Sequence, residues 1–131
     1  MERFEGTRQS MVRSVLIAEE DPRLRRILRM NLEREGFCAI EISSIADFEG
    51  WLRSGDVGLV IVSTQSLGFD VSKLSQWLHS DDPEKAVPAV IISFEPEDRA
   101  LASSIGSAEF KLKPFDPSEL VSQVNRLMKI A

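Results

Sequence analysis

At 131 residues, 43% hydrophobic and 28% charged, the chain has the length and balance of one globular domain, able to bury roughly two-thirds of its unfolded surface. The net charge of −5 argues against a nucleic-acid partner, because phosphate neutralisation needs a basic face. A single cysteine, Cys38, and a single histidine, His79, exclude an internal disulfide and a metal cluster built on those residue types. No apolar stretch reaches the ~20 residues of a membrane span, and the N-terminus lacks a signal-peptide core, so a cytoplasmic protein is expected.

Residues 1–11 are polar and aperiodic and read as a flexible arm, with Met11 as an alternative start; residues 12–131 form the domain. Val12 to Ala18 is an apolar, β-branched run long enough for a strand buried on both faces. Asp21 and Pro22 then cap and open a helix carrying Leu24, Ile27, Leu28 and Leu32, closed by Gly36. Arg23, Arg25, Arg26, Arg29 and Arg34 crowd this helix; a solvated face is the plain reading, and a docking surface for an acidic partner the sharper one. Cys38 to Ile42 is a second, short strand, in which Cys38 is expected to be a buried, inert thiol.

Ser44 opens a helix with Ile45, Phe48, Trp51 and Leu52, ended by Gly55; Leu59 to Val62 is a nearly all-apolar third strand. Beyond a loop through Gly68, Val71, Leu74, Trp77 and Leu78 mark a third helix, near whose end His79 reads as a surface residue. Pro88 precedes a fourth strand, Ala89 to Ile92, and Glu97 to about Ile105 is a short helix stopped by Gly106. Phe110 to Leu112 is the fifth strand, and Asp116-Pro117-Ser118-Glu119 has the form of a capping box before a helix through Leu120, Val124 and Leu127.

Five strands alternating with five helices imply an α/β domain: a doubly wound five-stranded parallel sheet with helices on both faces, since parallel strands need crossover connections. The functional crevice of such a sheet lies outside the carboxyl ends of its strands. Glu19, Glu20, Ser63, Ser93 and Lys113 all fall at or just beyond strand ends, five polar groups bordering otherwise apolar runs.

This order of segments resembles the receiver domain of bacterial two-component response regulators, a flavodoxin-like fold, across about residues 12 to 131. The resemblance rests on Val15-Leu16-Ile17-Ala18-Glu19-Glu20-Asp21-Pro22, the Leu24 to Phe37 helix with its Glu-Gly-Phe ending, Leu59 to Ser63, Pro88 to Ser93, and Gly106 to Phe115 with Lys-Pro-Phe. It implies a pocket in which an aspartate ending the third strand takes a phosphoryl group from a histidine kinase. An acidic pair there binds Mg²⁺, a hydroxyl residue contacts the phosphoryl group, and a lysine pairs with it. On that resemblance Glu19 and Glu20 match the acidic pair, Ser93 the hydroxyl position, Lys113 the lysine and Phe110 the aromatic switch. Ser63 falls on the acceptor itself. Leu67 stands where the family usually has proline, and Val71, after Asp70, where it usually has glycine.

A serine hydroxyl is neutral and un-ionised near neutral pH, so it supplies neither the nucleophile of an acyl phosphate nor a carboxylate for Mg²⁺. The expectation is therefore a vestigial pocket in a degenerate receiver. In it Lys113 pairs with Glu19 or Glu20, there is no catalytic residue and no required cofactor, and a weak Mg²⁺ site at Glu20 is the lesser alternative. Phe94, bulky where the family has a small residue, is expected to obstruct the inward path of Phe110, and Phe110, Val121 and Met128 are candidates for a partner-binding face. The implied partner is a protein (a sensor kinase, an output domain or another signalling protein), with a homodimer left open. Two alternatives stand beside this one: a phosphoprotein modified on serine, and a receiver using Asp70 as substitute acceptor.

Overall fold

The computed structural model describes residues 14–66, 73–79 and 86–129. The expected arm, the first residues of the first strand, Leu67, Gly68, Asp70 and Val71 lie outside the described residues. Five strands, β1 (Ser14–Ala18), β2 (Cys38–Glu41), β3 (Val57–Ser63), β4 (Ala89–Ser93) and β5 (Ala108–Leu112), form one parallel sheet in the order β2-β1-β3-β4-β5. Between and after them run α1 (Pro22–Arg34), α2 (Ile45–Ser54), α3 (Leu74–Leu78), α4 (Arg99–Ile105) and α5 (Pro117–Lys129). The expected doubly wound α/β architecture is what forms.

Alternation along the strands builds two cores, because successive side chains point to opposite faces. Leu16, Ala18, Val60, Val62 and Ile91 pack on one face with Phe48 of α2, Leu74 and Leu78 of α3 and Ala102 of α4. Val15, Ile17, Leu59, Ile61, Val90 and Ile92 pack on the other with Leu28 and Leu32 of α1 and Leu120, Val121 and Val124 of α5. β1, β3 and β4 are buried at every residue, which is why they read as unbroken apolar runs.

Local chemistry sets the helix ends. The Asp21 carboxylate accepts from Arg23 N and Pro22 starts α1; the Ser44 hydroxyl accepts from Asp47 N at α2, and Gly55 closes that helix at φ 80°. Only half of the expected box opens α5. Asp116 Oδ1 accepts from Ser118 N (3.0 Å), but the Glu119 carboxylate is drawn to Lys111 Nζ at 3.1 Å. The fourth helix differs from its expected start in having a 3₁₀ turn, Pro96–Asp98, ahead of α4. β5 begins two residues earlier than its apolar run, since Ala108 and Glu109 pair with Ala89 and Val90.

Cys38 corrects an expectation: it is exposed. The sheet order puts β2 at an edge, where Ala39 turns into the core and Cys38 turns out. Its thiol is thus expected to titrate fully with Ellman's reagent in native buffer; a thiol that reacts only in denaturant would contradict that placement.

Candidate functional site

The register of the sheet gathers the polar strand ends. Ala18 lies opposite Val62, Ser63 opposite Ile92 and Ser93 opposite Leu112, so the residues that follow β1 and β5 and those that end β3 and β4 meet on one edge. A 2.7 Å bond from Lys113 N to the Ser93 carbonyl fixes the last of these, and the Lys113–Pro114 peptide is cis.

The Lys113 ammonium is the hub. Its Nζ lies 2.7 Å from Glu19 Oε1 and 3.7 Å from Glu20 Oε2, and donates to Ser63 Oγ at 3.2 Å. Glu19 is 0% exposed, Ser63 1% and Lys113 5%, whereas Glu20 reaches solvent. The 2.7 Å contact to Glu19 is a close ionic one, not aligned as a hydrogen bond; the other Glu19 oxygen, Oε2, accepts from Asp21 N at 2.8 Å. Burial pushes the Glu19 carboxyl above its ordinary value, with Lys113 and the Asp21 N–H pulling the other way. For Glu20 the partial burial is outweighed by hydrogen bonds from its own backbone N–H and the Ser63 hydroxyl and by the Lys113 charge, so its carboxyl titrates lower than usual.

Ser93, the other expected hydroxyl, is at the same edge but turned to different partners. Its Oγ accepts from Glu95 N (2.9 Å) and Thr64 Oγ1 (3.2 Å) and donates to Asp98 Oδ2 (2.7 Å). The expected set is therefore assembled in part: Glu19, Glu20, Ser63 and Lys113 form one cluster, and Ser93 is tied into a neighbouring one. Thr64 and Asp98 were missed in the sequence. Asp98, five residues after Ser93, gave a signal only if the short turn at Pro96 is anticipated.

Two expectations about aromatic residues are corrected. Phe94 does not stand in the path of Phe110; it follows the last residue of β4, is exposed, and its ring centroid lies 5.1 Å from Lys113 Nζ, over the mouth of the cluster. Phe110, Val121 and Met128 do not make one face. Phe110 is buried in the core beneath α4, with the Arg99 guanidinium 4.8 Å from its ring, while Val121 is buried and Met128 half-buried against the opposite core. The arginines of α1 also divide. Arg25 Nε and Arg29 Nε each lie 2.7 Å from an oxygen of Glu41, and Arg25 Nη1 donates to the Glu19 carbonyl at 3.0 Å, while Arg23, Arg26 and Arg34 are exposed.

Chemically, the cluster holds charge in place. Lys113 donates to Ser63, the reverse of what a base activating a nucleophile must do. A magnesium ion, which the resemblance implies, needs several oxygen ligands at about 2.1 Å. Here the ammonium of Lys113 stands close to both carboxylates and the third position is a neutral hydroxyl. Among the described residues no group of three or more His, Cys, Asp or Glu side chains is placed to hold a metal. The residues do not fit the ion.

A five-stranded parallel sheet in this order, with Glu19, Ser63, Ser93 and Lys113 on its carboxyl edge, defines a class, and comparison with known proteins agrees. Residues 15–125 match the response regulator receiver domain family, and the chain belongs to it. Among curated proteins it is similar to the transcriptional regulatory protein GltR of Pseudomonas aeruginosa, 28% identical over 91% of this chain and 50% of that one. It is also similar to the phosphate regulon transcriptional regulatory protein PhoB of Escherichia coli, 24% identical over 91% of this chain and 53% of that one. The chain thus spans about half the length of these relatives. Of solved structures, HP1043, an orphan response regulator of H. pylori, superposes with a TM-score of 0.73 at 22% identity, covering 88% of this chain and 96% of that one. The receiver domain of the Francisella response regulator 1452 gives 0.75 at 20%, covering 90% and 98%; both share the fold. Among the described residues no helix is long and apolar enough to cross a membrane.

Proposed function

We propose that this receiver domain is a signal-transduction module that works through protein contacts without accepting a phosphoryl group. The observation that carries the reading is Ser63: it ends β3, is buried, and receives its hydrogen bond from a lysine already held by Glu19. The lysine that would meet an incoming phosphoryl group is committed to a carboxylate, and the residue that would bear that group has no carboxyl. Ser93, fastened to Asp98 and Thr64, adds support, since it is not free to follow a ligand at residue 63. On this reading the protein is not an enzyme, Glu19, Glu20, Ser63, Ser93 and Lys113 are the remnant of a phosphorylation pocket, and the setting is cytoplasmic. Its state is set by a partner: a sensor kinase, an output domain or another signalling protein.

Incubation with Mg²⁺ and acetyl phosphate is expected to leave the intact mass unchanged. A base-labile adduct of one phosphoryl group on any carboxylate, Asp70 included, overturns the proposal. Modification of Ser63 by a serine kinase is the weaker reading, because that hydroxyl is buried.

A further inference from the structure

Among the described residues four large apolar side chains are exposed: Ile27 (42%), Met30 (50%), Phe94 (59%) and Leu112 (39%). They fall into two pairs of opposite electrostatic setting. Ile27 and Met30 lie one turn apart on α1, on a stripe with Arg23, Arg26 and Arg34, and Glu33 is the only acid of that helix. None of those three arginines has an ion partner among the described residues, unlike Arg25 and Arg29, which are spent on Glu41. Phe94 and Leu112 lie at the same end of neighbouring strands, since Leu112 pairs with Ser93, the residue before Phe94. Beside them the chain Glu95-Pro96-Glu97-Asp98 places three carboxylates with no cation partner among the described residues. Glu95 and Glu97 crowd each other, and the hydrogen bond and repulsion between them hold the Glu95 carboxyl above its ordinary value.

We propose that the chain self-associates, the basic, apolar face of α1 in one copy docking on the acidic edge around Phe94 in another. Each patch has what the other lacks. Apolar side chains meet in the middle, arginines meet carboxylates at the rim, and the crowding of Glu95 and Glu97 is relieved by guanidinium groups. A second copy is the occupant these observations favour, because it carries the fitting surface for both patches at once. The docking residues are not members of the Glu19, Glu20, Ser63 and Lys113 cluster, although Phe94 lies at its mouth, so this inference goes beyond the interaction-module reading and is tested by association, not by phosphorylation.

Sedimentation equilibrium of the full chain tests it. At about 20 mM ionic strength, where the screening length exceeds 20 Å, reversible association is expected below about 0.5 mM protein, and it weakens at 0.5 M NaCl. Phe94→Ser and Met30→Ser are each expected to weaken it at least about tenfold, as truncation at the centre of a contact does. Arg26→Glu and Glu97→Arg each abolish it alone, and an equimolar mixture of those two variants associates again, a rescue that no folding defect could produce. A monomer at every concentration and salt, association unchanged in Phe94→Ser, or a mixture that stays monomeric overturns the proposal.

Discussion

Replacing Lys113 with methionine is expected to destabilise the fold by about 3–5 kcal/mol, the largest effect of any single change at this edge. Methionine is nearly as long as lysine and matches its apolar stem, so packing is roughly kept. What is lost is the only cation among the described residues that pairs with the Glu19 carboxylate, which is fully buried. An unpaired carboxylate in that place must either stay charged without compensation or take up a proton. The sign of the pH dependence follows. Losing the lysine removes a cause that lowers the Glu19 carboxyl, so the folded variant holds that proton to higher pH than the parent does. Folded chains that bind more protons than unfolded ones lose stability as pH rises, and the deficit is therefore smaller at pH 5 than at pH 7.5. Urea unfolding at the two pH values measures it. Adding Glu19→Gln to the same chain should recover most of the loss, because it removes the orphaned charge. A deficit below about 1 kcal/mol, insensitive to pH, would mean that the pair carries little of the stability.

Restoring a carboxylate with Ser63→Asp is expected to raise Mg²⁺ affinity by at least about tenfold, since hard cations gain with each charged oxygen ligand. The same position lies within hydrogen-bond reach of Lys113 Nζ, at 3.2 Å from Ser63 Oγ. The new carboxylate would compete with Glu19 for the ammonium and, together with Glu20 on the solvent side, offer a second anionic ligand to an ion. Isothermal titration with MgCl₂, comparing the parent and the variant, reads this directly. No gain in affinity would show that Glu19 retains Lys113 so firmly that the ammonium still bars the ion. Acetyl phosphate applied to the variant then asks whether Ser93 can leave Asp98 and Thr64 when an acceptor is present.

The buried strands could be read from the chain because β1, β3 and β4 are buried on both sides, and their short length and β-branched residues set such runs apart from buried helices. The same fact made the strand-end residues legible: a glutamate, a serine or a lysine terminating an apolar run has little choice but to stand on the sheet's edge. That Lys113 chooses Glu19 follows from charge and reach. What the sequence could not convey was direction away from the strands. Cys38 looked like the start of a buried strand, but burial there depends on which strand lies at the edge, a property of sheet order and not of local pattern. Phe94 turns outward to the ammonium of Lys113, and Ser93 turns to Asp98, because the chain leaving β4 tightens into a 3₁₀ turn at Pro96. Phe110 and Val121 were expected on one partner-binding face, whereas the sheet itself separates them.

The two outermost strands carry one more implication. An edge strand offers unpaired backbone groups to any extended chain that drifts past, the usual start of fibrous aggregation. In this protein β2 ends at Glu41, gripped by two arginines of α1. At the opposite border Glu109 is bound by Arg126 at 2.6 Å and Lys111 by Glu119 at 3.1 Å. A foreign strand laid along either border must part these ion pairs and strip water from their charges before it gains its first backbone bond. The borders of the sheet are guarded by charge against pairing with another chain's backbone.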